Sequence, residues 1–201
     1  MTSLLLIRHA VTDMAGRFCG HSDPELNGRG QQQSAGLMEA LSAHNIRRVY
    51  TSDLRRARQT AAAIAKHFAI ELYERPGLRE ICFGRWEGLS WDEIETEDPV
   101  LAKSWAKEYP DSTAPGGESF LRFASRVNRE ISFLLAETAK FPIAAITHAG
   151  FIRTALTRLC GMSENEAWNR TKEYGSIVAL DMSDIDRPKI QNLDSVLSDG
   201  I

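Results

Sequence analysis

Apolar residues along this chain follow two spacings, and the alternation between them predicts the architecture. Short runs dominated by apolar side chains occur at Ser3 to Ile7, Val49 to Thr51, Ile143 to Ile146 and Ile177 to Leu180. Uninterrupted runs of this kind are expected of strands buried on both faces. Between them the period lengthens to three and four. Leu37, Met38 and Leu41 within Arg29 to Ala43, then Ala57, Ala61, Ile64, Ala65 and Phe68, then Phe120, Phe123, Val127, Ile131 and Leu134, each fall on one helical face. A further helix is predicted after Gly150, through Leu159, and an edge strand near Ile190 is the only pattern in the tail after Ser183. Strands alternating with helices predict an α/β fold, a three-layer sandwich with a mostly parallel central sheet and helices on both faces. The stretch from Arg75 to Gly117 breaks the alternation with Pro76, Pro99, Pro110 and Pro115, three of the four tryptophans, and a Pro-Gly-Gly turn at 115–117. It reads as a lid-like insertion within a single domain covering 1–201.

Composition narrows the function classes. A chain of 201 residues, 43% hydrophobic and 25% charged, suits one globular domain. A net charge of -3 argues against a nucleic-acid or membrane-surface partner, which would ask for a basic stripe, so any basic site is local. The three cysteines, Cys19, Cys82 and Cys160, are widely spaced and suggest neither a disulfide framework nor a zinc site. Leu4 to Ile7 is too short for a signal-peptide core and no run approaches a membrane span, so a cytoplasmic location is expected.

The chemistry lies at the strand ends. The first run stops at Arg8-His9 and the third at Thr147-His148. In open α/β sheets ligands bind outside the carboxyl ends of the strands. Either histidine alone has a bland explanation as a satisfied or solvated residue. Two imidazoles and an arginine delivered to one rim are poor core material and suit phosphate chemistry.

Five ordered stretches carry a resemblance. Leu6-Ile7-Arg8-His9-Ala10-Val11-Thr12 resembles the signature of the histidine phosphatase superfamily, the group that includes cofactor-dependent phosphoglycerate mutases. Phe18-Cys19-Gly20 with Asp23 and Leu26 to Gly30, then Ser52 to Ala61, then Leu78-Arg79-Glu80-Ile81 with Gly84-Arg85-Trp86-Glu87-Gly88, and finally Thr147-His148-Ala149-Gly150 with Arg153, resemble its later motifs in order. The resemblance implies a phosphoglycerate mutase-like fold and the catalytic set His9, Glu80, His148, Arg8 and Arg56. In that set Arg8 and Arg56 grip a phosphate dianion with planar guanidinium groups. His9 attacks phosphorus through a neutral ring nitrogen, its other nitrogen held by a carbonyl or carboxylate. His148 acts as a protonated donor to the transferring oxygens, so the two histidines are expected in opposite protonation states. Glu80 passes a proton to the departing alkoxide and then helps activate water. No metal or cofactor is implied.

Thr12 and Ser52 are candidate hydroxyl donors to the anion, and Trp86 and Glu87 are expected to shape the pocket. Arg58, two residues from Arg56, turns to another helix face, where a surface ion pair is its expected role. Arg126 and Arg129 are expected on solvated helix faces, and Arg153 is the best candidate for orienting the His148 loop. The chain departs from the family pattern at Ala10, Ala15 and Ala149; the first is tolerated where φ stays negative, and the second removes a phosphate donor. The wording around Glu80 and the short insertion favour a phosphatase acting on a small phosphate ester, with some resemblance to α-ribazole phosphatases. A phosphoglycerate mutase-type transferase and a catalytically weak phospholigand-binding protein are the alternatives. Oligomeric state is left between monomer and dimer.

Overall fold

Leu4, Leu5, Leu6 and Ile7 are all fully buried in the computed structural model, which describes residues 3–184 and 188–191. They belong to strand β1 (Ser3–Arg8), and the pleat divides them between two cores. Leu4 and Leu6 pack into one, Leu5 and Ile7 into the other. The same split recurs in β4 (Ile143–Thr147), where Ile143 and Ala145 face the first core and Ala144 and Ile146 the second. Both faces therefore exclude water, which is why these segments lack polar alternation. Burial of each Leu or Ile side chain is worth about 1.5–3 kcal/mol.

The other strands are β2 (Arg48–Thr51), β3 (Glu71–Glu74), β5 (Ile177–Asp181) and β6 (Lys189–Gln191). They form one six-stranded sheet in the order β3-β2-β4-β1-β5-β6. The first four in that order run parallel; β5 pairs antiparallel with β1, and β6 antiparallel with β5. On one face lie α1 (Gly28–Leu41) and α2 (Arg55–Phe68), which contribute Leu37, Leu41, Ala57, Ala61 and Ile64. On the other lie α5 (Phe120–Thr138) and α6 (Ala149–Cys160), with Phe123, Val127, Ile131, Phe151 and Leu156. The expected three-layer α/β sandwich is present.

Two elements had no clear apolar signal. Strand β3 is a mostly exposed edge of four residues, two of them glutamates. Helix α7 (Glu164–Thr171) is polar, but a Ser163–Glu166 capping box starts it. The 75–117 stretch is more ordered than its prolines suggest. It contains α3 (Trp91–Glu97) and α4 (Pro99–Glu108), with Pro99 in the first turn of α4. Its aromatic residues build a small core of their own, in which Phe18 meets Phe83, Trp86, Trp91 and Trp105. None of the described helices is long and apolar enough to cross a membrane.

Candidate active site

Strands β1 and β4 are neighbours in register, Arg8 opposite Thr147, and the His9 amide donates to the Thr147 carbonyl at 3.0 Å. The two strands therefore release His9 and His148 side by side, with ring centroids 5.0 Å apart. Both rings are buried.

Arg56, in the first turn of α2 and fully buried, lies between them. Its Nε donates to His9 Nε2 at 3.2 Å and its Nη2 to His148 Nδ1 at 3.2 Å. An arginine has no acceptor, so both of these ring nitrogens carry lone pairs. His9 Nδ1 sits 2.8 Å from the Ala10 carbonyl and must be its donor. His9 is thus a neutral ring with its proton on Nδ1 and its lone pair on Nε2, as the sequence predicted for a nucleophile. In neutral His148 the proton falls on Nε2.

The expected opposite protonation states are not found. Burial first, then the charge of Arg56, hold both imidazoles well below their ordinary range. Burial disfavours a charged His148 ring and the Arg56 guanidinium beside it adds to that, so its donor is a neutral Nε2–H.

Arg8 stacks over the Tyr174 ring at 3.7 Å and donates through Nη1 to the carbonyls of Thr171 and Lys172. Burial lowers its pKa; Tyr174 and Glu80 act against that shift and Arg153 adds to it. Among the described residues, the buried side-chain nitrogens without a partner are Arg8 Nε, on the residue before His9, and His148 Nε2, on the ring 5.0 Å from that of His9. A buried donor left unpaired costs about 1–3 kcal/mol, which an oxygen-rich ligand would offset.

Glu80 is buried beside the amino end of α6, where its Oε2 accepts from the Gly150 amide at 2.8 Å and its Oε1 from the Ile81 amide at 3.1 Å. A methyl group on Gly150 would collide with that carboxylate, so only glycine lets the acid approach this amide. Thr12 lines the cleft, with Oγ1 accepting from the Met14 amide. Ser52 departs from expectation: it is fully buried at the start of α2, its Oγ accepting from the Leu54 amide, and it does not line the cleft. Accepting from that amide holds the hydroxyl oxygen at the approach to the helix, away from the cleft wall. Arg56 and His148 likewise sit behind the cleft wall, while Arg8, His9, Thr12 and Glu80 form it.

Glu87 was named in the sequence reading, but the contacts by which it and its neighbours support the site were not. The Glu87 carboxylate accepts from the amides of Gly20, His21, Ser22 and Phe83 and from the Ser22 hydroxyl. Burial works to raise its pKa, but these hydrogen bonds outweigh it and hold the group below its ordinary range. The carbonyls of the same loop, from Cys19, Gly20 and Ser22, accept from Arg56. Glu87 and Arg56 therefore grip opposite sides of one short loop.

Arg126 is not on a solvated face. It pairs with Glu118 at 2.6 Å and donates to the carbonyls of Gly77, Arg79 and Glu80, because the bent backbone before Glu80 presents unpaired acceptors to α5. Arg79 is clamped by both oxygens of Asp53. Arg129 is exposed, and Arg58 pairs at the surface with Glu74, both as expected. Ala10 and Ala149 avoid the left-handed region, so a methyl is accommodated at each.

The cleft above His9 has a volume of about 300 Å³ and is walled on the insertion side by Phe18, Phe83 and Trp91 and on the α6–α7 side by Arg153, Trp168 and Lys172. Such a site, on a phosphoglycerate mutase-like α/β fold, belongs to the phosphoric monoester hydrolases. The family model of the histidine phosphatase superfamily (branch 1) matches residues 4–194, and the chain belongs to that superfamily.

Among its curated relatives, adenosylcobalamin/alpha-ribazole phosphatase of Salmonella typhimurium is 30% identical over 89% of this chain and 90% of its own length. A metal-independent phosphoserine phosphatase of Arabidopsis thaliana is 32% identical over 79% of this chain and 69% of its own. The solved alpha-ribazole phosphatase from Shigella flexneri superposes with a TM-score of 0.86 at 28% identity, covering 96% of each chain.

Proposed function

We propose that the protein hydrolyses a small phosphate monoester through a phosphohistidine on His9, without a metal. The observation that carries this reading is the pair of orphaned nitrogens, Arg8 Nε and His148 Nε2, beside a neutral imidazole whose proton is on the far nitrogen. They supply hydrogen bonds for phosphoryl oxygens next to a lone pair able to attack phosphorus. Arg56 donates to that lone pair at 3.2 Å and, on this reading, turns its charge to the phosphoryl group as the anion enters.

In the first step His9 Nε2 forms a bond to phosphorus. The ester P–O bond breaks, and its electron pair leaves on the alcohol oxygen, which takes a proton from Glu80. In the second, water attacks phosphorus and yields a proton to the Glu80 carboxylate. The P–N bond breaks, its pair returns to Nε2, and orthophosphate departs. Thr12 adds a hydroxyl at the cleft wall. The relatives' named substrates, α-ribazole phosphate and phosphoserine, are candidates of the right size class for a cleft of about 300 Å³.

Steady-state hydrolysis of p-nitrophenyl phosphate in the presence of a chelator tests the reading. The intact protein should turn over undiminished by the chelator, and His9→Ala should lower kcat by roughly a thousandfold or more. Turnover that the chelator abolishes, or that survives in His9→Ala, contradicts it.

A further inference from the structure

The cleft holds more positive charge than one phosphate requires. Its wall carries Arg8, Arg17, Arg153 and Lys172, with Arg56 behind it, against a single carboxylate, Glu80. Arg8 and Arg56 flank His9 and belong to the phosphoryl site. Arg17 is spent elsewhere, on Glu93 at 2.7 Å and the Gly88 carbonyl. Arg153 and Lys172 pair with no carboxylate among the described residues.

Arg153 is also held in a way that keeps its donors free. Its guanidinium lies 4.7 Å over the ring of Trp168, a half-exposed tryptophan on the cleft rim, and among the described residues only its Nε forms a hydrogen bond, to the Ala149 carbonyl at 3.3 Å. Stacking occupies the face of a guanidinium and leaves its edge for ligands. Glu164 lines a neighbouring cavity of about 270 Å³ together with Arg153 and Gly150, but forms no ion pair with Arg153.

Direction along α6 indicates which part of the substrate Arg153 meets. Gly150 binds the acid that would protonate the leaving oxygen, and Arg153 follows it by three residues, on the same face of the helix. The leaving alcohol therefore extends toward Arg153.

We infer that Arg153, supported by Lys172, takes a second anionic group on the leaving alcohol, so that the enzyme selects phosphate monoesters of acidic alcohols over those of neutral ones. This rests on the phosphatase reading above and adds to it a specificity-determining residue and a substrate class.

A matched pair isolates the second charge: 3-phosphoglycerate and glycerol 3-phosphate differ by a carboxylate in place of a hydroxymethyl group. The ratio of their kcat/KM values removes any general effect on phosphoryl transfer. For the intact protein it should favour the acid by about tenfold or more. Arg153→Met, which keeps the apolar stem, should bring it to within about threefold of unity, Arg153→Lys should retain part of it, and Lys172→Met should lower it less. A ratio near unity in the intact protein, or one unchanged in Arg153→Met, overturns the inference while leaving phosphatase activity in place. Absence of turnover on both esters and on p-nitrophenyl phosphate overturns the phosphatase reading, and this inference with it.

Discussion

Arg56 is a fully buried cation with no carboxylate partner among its contacts. Its charge is met by three carbonyl oxygens and two imidazole lone pairs, and burial, reinforced by that charge, holds both imidazoles well below their ordinary range. This has a pH signature. Unfolded histidines bind a proton around pH 6.5, whereas His9 and His148 in the fold stay neutral well below that value. Between the two limits the unfolded state binds more protons, so stability is full above about pH 6.5 and falls as the pH drops, by up to about 1.4 kcal/mol per pH unit for each ring. Denaturant midpoints at pH 7.5 and 5.5 should show this loss, and His9→Asn should show less of it; an equal loss in both would contradict the account. The principal residue types were legible in the sequence because strand ends and motif order carry them. The neutral state of His148 was not, since it depends on where Arg56 folds, and neither was the turn of Ser52 away from the cleft.

At the scale of elements, the site is assembled by the starts of helices. The amino end of α2 delivers Arg56 and that of α6 receives Glu80, where backbone N–H groups and the helix dipole favour a carboxylate. Gly150→Ala should push the Glu80 carboxylate from this position while leaving His9 and Arg8 in place. An acid matters most for a poor leaving group. The variant should therefore slow an alkyl phosphate by about a hundredfold and p-nitrophenyl phosphate far less, read from the two kcat values. Equal slowing of both would count against Glu80 as the proton donor. Buried strands and the amphipathic helices were readable from period alone. Strand β3 was not, because an exposed edge needs no apolar residues, and α7 would have been found from its Ser163–Glu166 capping box. Glu87 was named from its motif, but its hold on the 20–22 loop depends on two distant segments meeting.

Across the whole molecule, the sheet order places β1 and β4 side by side, and the chain that follows them goes to opposite faces, to α1 after β1 and to α6 after β4, which opens the crevice where both histidines emerge. Helices bury the sheet on each face and the 75–117 segment adds an aromatic wall to the cleft. The molecule is mildly acidic overall, at -3, yet its cleft gathers arginine and lysine, so anion attraction is a property of the site and not of the surface. The central claim is covalent: a phosphoryl group passes through His9. Rapid acid-free quenching of the protein during turnover of a phosphate ester, followed by peptide mass spectrometry, tests it most directly. The account predicts an acid-labile, base-stable phosphoryl group on the peptide containing His9 and none in His9→Ala. Turnover with no phosphoryl group on that peptide, or with one carried by another residue, would contradict it.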